Sequence, residues 1–210
     1  MKLFLVVCIP LVAWGFLEHA AAIRTDTGRE RRRLWSQFAF GAILGLPAYF
    51  FVSLARGIAP ESFRMVPLYV RLTLGDHLVP ILIGLASLVV GTMPAHRFAF
   101  FFARLAGLAA VVTAMDALWL GDRSGYRLFL VPALRLAAAA LAALGASLLE
   151  RAHPRTIAVA VTLGLSVPLL GGATATMAST GFATLAFLVG AGTLIGAGAL
   201  LIRNWEEALA

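Results

Sequence analysis

Charge is scarce in this chain: Asp, Glu, Lys and Arg together make up 13% of its 210 residues, about half the share of an ordinary soluble domain. Side-chain amides are scarcer still, with one Gln at Gln37 and one Asn at Asn204. A pocket for sugars or amino acids usually offers more convergent amides than that. Cys8 is the single cysteine and lies inside an apolar segment. No intramolecular disulfide framework exists, and Cys8 reads as a small packing residue. No G-x-S-x-G elbow, H-E-x-x-H pair, P-loop, C-x-x-C or GxGxxG in context occurs, so the usual equipment of catalysis is missing. The pattern names no catalytic residue and no metal ligand set, and it leaves the cofactor unknown.

What the chain has in abundance is oil. It is 61% hydrophobic, with a mean hydropathy of +0.93. Stretches such as VVCIPLVAWGF and LRLAAAALAALGASLL are continuously apolar, whereas barrel strands would alternate apolar and polar residues. A spanning helix needs about 20 apolar residues. Seven segments qualify, at roughly 3–22, 34–55, 72–93, 98–120, 127–149, 156–178 and 181–202. The expected fold is all-α, a polytopic membrane bundle forming a single transmembrane domain over residues 1–210. No repeat or low-complexity linker divides it.

The net charge of +7 comes almost wholly from arginine. Because these arginines cluster at segment ends, they point to topology and headgroup contact and not to nucleic acid. The start, MKLFLVVCIPLVAWGFLEHAAA, has the form of a secretory signal. Its apparent cleavage site would leave RTDTGRERRR outside the membrane, against the preference of short arginine-rich loops for the cytoplasm. Residues 3–22 are therefore expected to be a retained helix, with the N-terminus outside, the C-terminus inside, in an inner or plasma membrane.

Local signals refine this frame. Thr27-x-x-Glu30 is a capping box, so the second helix should start near Gly28, and Pro47 should kink it. Gly41-x-x-x-Gly45 and Gly192-x-x-x-Gly196 permit close helix contact. Trp35, Trp119 and Trp205 fit interfacial anchoring. Pro168 with Gly171-Gly172 suggests a sixth helix that is bent or broken. Thr174, Thr176 and Ser179 would then line a cavity, or the helix simply frays towards a tight turn at Thr180-Gly181.

Four ionisable residues inside apolar segments stand out. Asp76 and His77, in LTLGDHLVPILIG, read in two ways. Asp76 caps a helix beginning at His77, with 63–74 lying along the outer interface. Alternatively, 72–93 is one helix, and the two residues form a candidate ion or substrate site in the outer leaflet. Two adjacent residues point about 100° apart on a helix and cannot chelate one ion alone. Asp116, near the outer end of its helix, faces the first turns of the next, where Arg135 stands. The expectation is an Asp116–Arg135 ion pair, since an unpaired charge in hydrocarbon costs about 2.5–3.5 kcal/mol. Read functionally, Arg135 would receive an anionic solute or headgroup, with Asp116 as its resting partner. Arg104 is expected to snorkel to lipid phosphate.

Three classes of function remain. The scarcity of intramembrane polar groups favours a non-catalytic subunit or scaffold, whose partners are the bilayer and other membrane subunits or a second copy. Asp76, His77, Asp116 and Arg135 support a small-solute or ion transporter. A lipid-acting enzyme rests only on the same outer polar cluster.

Overall fold

A computed structural model describes residue 15 and residues 28–58, 65–88, 97–119, 129–149 and 154–203. The expected first span at 3–22 (Gly15 apart), the cap at Thr27, and His19, His96 and His153 lie outside the described residues. Every element within them is helical: α1 (Gly28–Ile58), α2 (Met65–Leu72), a π-helical turn (Thr73–Leu78), α3 (Val79–Leu88), α4 (Arg97–Trp119), α5 (Val131–Leu149), α6 (Pro154–Ser179) and α7 (Ala183–Arg203). With α2, the π turn and α3 forming one continuous rod, six helices are long and apolar enough to cross a membrane. Helices suit a bilayer because their backbone bonding is satisfied within each segment where no water reaches.

Proline obeys the same logic. Pro67, Pro132 and Pro154 all stand in the first turn of a helix, where a missing N–H breaks no bond. Pro47 lies inside α1, which nonetheless continues through it.

The bundle is built around α4 and α5. Of the most apolar stretch of α4, 78% is buried, against 22% for α1 and α7 at the edge. Phe98, Leu105, Leu134, Leu141 and Leu144 anchor the main core, and a second cluster joins Ala48 and Val52 of α1 to Leu108 and Val112 of α4. Lipid is as apolar as leucine, so close packing and not oil-from-water transfer must draw such helices together. Glycine permits that packing here. A Cβ on Gly41 would overlap the Arg104 carbonyl, and one on Gly107 would overlap the Phe38 carbonyl, so α1 and α4 meet backbone to backbone. The Gly41/Gly45 pair thus packs, whereas Gly192 and Gly196 on α7 face open space.

Two expectations are corrected. The third span begins neither at His77, with 63–74 lying along the interface, nor at Leu72; the helix runs from Met65 without interruption. Asp76 is therefore no N-cap and sits midway along a span. The sixth segment is not broken either, since α6 is continuous through Pro168, Gly171 and Gly172. Its hydroxyls turn back on their own helix, Thr174 donating to the Leu170 carbonyl (2.7 Å) and Thr176 to that of Gly172 (2.8 Å). The helix ends as a Schellman motif. Phe182 N donates to Met177 O at 2.9 Å, and Gly181 takes the left-handed φ of 92° that closes it.

The glycine pair of α6 instead admits the π turn. A Cβ on Gly172 would strike the Thr73 side chain and come within 2.9 Å of its Cα, and one on Gly171 would lie 2.8 Å from His77 Nε2. Gly172→Ala is thus expected to lower stability by about 1–3 kcal/mol through overpacking. Gly164→Ala, on the same helix but facing open space, should leave it unchanged or raised. Thermal unfolding in detergent micelles reads both, and equal effects would refute the close-approach role.

Candidate functional site

The π turn is where the polar groups converge. Its sequence, Thr73-Leu-Gly-Asp-His-Leu78, widens the helix by one residue per turn, and its end is closed by Val79 N–H on the Leu74 carbonyl. The turn shows a different group to each neighbour. Thr73 and His77, four apart, press on Gly172 and Gly171 of α6. Gly75 leaves room for the stem of Arg56, whose Cγ would lie 2.9 Å from a Cβ there. Asp76 reaches the guanidinium of that same Arg56.

Arg56 is the hinge of the cluster. Its Nε donates to Asp76 Oδ1 at 2.8 Å and its Nη2 bonds the same oxygen. Its Nη1 donates to Asp116 Oδ1 at 2.7 Å and its Nη2 to Asp116 Oδ2 at 3.0 Å. Arg135 closes the group from the other side. It donates through Nη2 to Asp116 Oδ2 (2.5 Å), through Nε to the Asp76 backbone carbonyl (2.9 Å) and through Nη1 to Thr113 Oγ1 (3.3 Å). Two guanidiniums and two carboxylates thus form one neutral quartet tying α1, the π turn, α4 and α5 together. Asp76 is wholly buried and Arg135 nearly so, while Arg56 and Asp116 keep 12% and 11% of their side-chain surface exposed.

All four candidate residues from the sequence therefore meet at one place: Asp76, Asp116 and Arg135 in direct bonds, and His77 beside them. His77 is 1% exposed, and neither of its ring nitrogens has a hydrogen-bond partner among the described residues. The Thr73 hydroxyl is in the same position. A cavity of about 10 Å³ adjoins the imidazole, bounded by His77, Arg135 and the apolar side chains of Ile81, Leu105 and Leu108. Among the described residues, no group of His, Cys, Asp and Glu side chains is arranged to hold a metal ion.

Sequence reasoning missed Arg56, one of the arginines at segment ends that it took together as marks of topology. The available signal was level: Arg56 near the end of α1, Asp116 near the end of α4 and Arg135 near the start of α5 all fall at one end of the bundle. The glycines at 75, 171 and 172 were also unreadable as contacts, because nothing in a lone glycine says which helix approaches it.

Towards the opposite end Arg104 corrects the expectation that it snorkels to lipid. It is 5% exposed. Its Nε donates to Gln37 Oε1 at 2.8 Å, Nη2 bonds the same oxygen, and Nη1 donates to the Ser87 carbonyl at 2.5 Å. The Phe40 ring lies 4.8 Å from its Cζ. A carbonyl in the last turn of α3 and an aromatic face partner this cation inside the bundle.

By length and composition the six apolar helices mark a multi-pass membrane protein. No protein-family model matches the chain, and no curated protein or solved structure matches it.

Within the quartet, breaking one member should cost more than removing a pair. Arg135→Leu leaves Asp116 with less than its full complement of cations, and a loss of about 3–5 kcal/mol is expected from an uncompensated buried charge. Arg135→Leu combined with Asp116→Leu leaves Arg56 paired with Asp76 and should lose less. A double-mutant cycle of unfolding in micelles measures this, and simple additivity would show that the two residues do not interact.

Proposed function

We propose that this chain is an ion-handling transport component of an inner or plasma membrane, working through the quartet and His77. The observation that carries the reading is His77: a wholly buried ring whose nitrogens meet no hydrogen-bond partner among the described residues, set against four charges in the interior of the bundle. Burying a polar group unsatisfied costs free energy, and purely structural packing gives no reason to retain it. Intramembrane ionisable groups are by default candidates for a solute or proton path. The balanced quartet supplies both signs of charge, Arg135 and Arg56 for an anion, Asp76 and Asp116 for a cation, without any net charge to stabilise at rest.

The chain crosses the bilayer seven times in this reading, N-terminus outside and C-terminus inside, with residues 3–22 as the first span. The quartet then occupies the outer half, since it lies at the end of the bundle away from the arginine-rich start of α1. In a Cys8→Ser background, an impermeant thiol reagent applied outside is expected to label Lys2→Cys and to spare Thr27→Cys. Labelling of Thr27→Cys reverses the orientation.

The full chain, reconstituted in liposomes, is expected to pass at least one of sodium, rubidium, chloride or protons faster than protein-free vesicles. Asp116→Asn with Arg135→Gln should abolish that flux. Flux that survives both substitutions removes the quartet from the path.

A second reading, a non-catalytic subunit or scaffold, is favoured by the mutual pairing of the quartet, which resembles a latch between four helices. It predicts no flux of any of these ions and a stoichiometric membrane partner that remains bound through purification in mild detergent.

A further inference from the structure

The cavity beside His77 has a size and a chemistry. Its volume is about 10 Å³, at the threshold of roughly 10–15 Å³ that a single water molecule requires. Most of its wall is apolar, from Ile81, Leu105 and Leu108, but two residues with polar side chains also line it, His77 and Arg135. Arg135 has N–H groups to spare: Nε serves Asp76, one Nη1 hydrogen serves Thr113 and one Nη2 hydrogen serves Asp116. Three of the five guanidinium hydrogens are thereby engaged, and two are left. His77 contributes the complementary need, ring nitrogens with no partner among the described residues. Buried polar atoms that lack a protein partner are regularly satisfied by ordered water.

We propose that this cavity is a buried water site bridging Arg135 and His77, and that the water and His77 together form the proton-handling element of the bundle. The proposal rests on the ion-handling reading above and names its ion. The water accepts a hydrogen from Arg135 and donates one of its own to an imidazole nitrogen. A proton arriving from bulk solvent adds to the site water as the water passes another of its protons to the ring. One O–H bond forms, one O–H bond breaks, one N–H bond forms, the water is regenerated and no electrons are exchanged. Imidazole is a side chain that can both take and release a proton at nitrogen.

Among the described residues, the groups facing this ring are few. Asp76 lies on its own turn, Arg56 on α1, Asp116 on α4 and Arg135 on α5, while α6 presents the backbone of Gly171 and Gly172. The charged groups already hold one another, which leaves His77 as the ionisable side chain of the site that the quartet does not consume. The one-water volume also favours the proton as the substrate. A solvated sodium or chloride ion, or any organic solute, exceeds it, whereas a proton carried on water does not.

The test uses the full chain in liposomes loaded with a pH-sensitive dye, with a potassium diffusion potential set by valinomycin. Proton entry above protein-free vesicles is expected, with loss to the protein-free level in His77→Asn and retention in Ile195→Ala on the exposed face of α7. Proton entry that persists in His77→Asn overturns the assignment. If sodium or chloride tracers move in the same vesicles and protons do not, the proton proposal fails while the ion-handling reading stands. If nothing moves, both fail.

A second measurement does not depend on whether His77→Asn folds. Nitrogen-15 histidine spectra of the chain carrying His19→Gln, His96→Gln and His153→Gln report His77 alone. A ring nitrogen hydrogen-bonded to exchangeable water is expected, and two nitrogens without a water contact would overturn the water site.

Discussion

A guanidinium or carboxylate placed where water cannot follow must find its counter-charge in the protein, and this constraint organises the centre of the bundle. Arg56, Asp76, Asp116 and Arg135 come from four different stretches of chain and meet only because each supplies what another lacks. The surrounding backbone is shaped to permit the meeting. Gly75 makes room for the Arg56 stem, the π turn directs Asp76 and His77 to different neighbours, and the glycines of α6 let that turn come close. Lipid provides little drive for helices to associate. A charge network crossing α1, α4, α5 and the π turn, together with backbone contact at Gly41 and Gly107, supplies it.

The two ends of the bundle treat buried cations differently, and the contrast bears on function. Arg104 is held by a side-chain amide, a carbonyl at a helix end and an aromatic face. Those partners are fixed dipoles that neither gain nor lose protons, so the arrangement suits a permanent clamp. At the other end the cations face carboxylates, and an imidazole stands alongside without a hydrogen-bonding partner among the described residues. There the partners are titratable groups, which is the chemistry a moving ion or proton requires.

The apolar spans were legible because hydropathy is a property of composition over a window, and a bilayer selects on composition. The third span was misjudged at its start for a specific reason. Arg71 and Pro67 interrupt the apolar run, and the Gly-Asp-His-Leu-Val-Pro string imitates a helix start. In the folded chain Pro67 is in the first turn of α2, and the apparent start is a π turn inside a continuous helix. The sixth span misled in the same way. Gly171-Gly172 reads as a weak point in a helix until the neighbour that needs the absence of side chains there is known.

Residue types alone determined that this protein is a helical membrane bundle, and they singled out Asp76, His77, Asp116 and Arg135 as groups out of place in oil. Only the folded arrangement decided that Arg56 joins two of those acids, that His77 is left beside a cavity, and that the α6 glycines are contact surfaces. The physical reason is range. Solvent preference and helix geometry act over a few neighbouring residues and can be read along the chain, whereas ion pairing joins residues 20 and 60 positions apart and close packing joins Thr73 to Gly172, which no local pattern encodes.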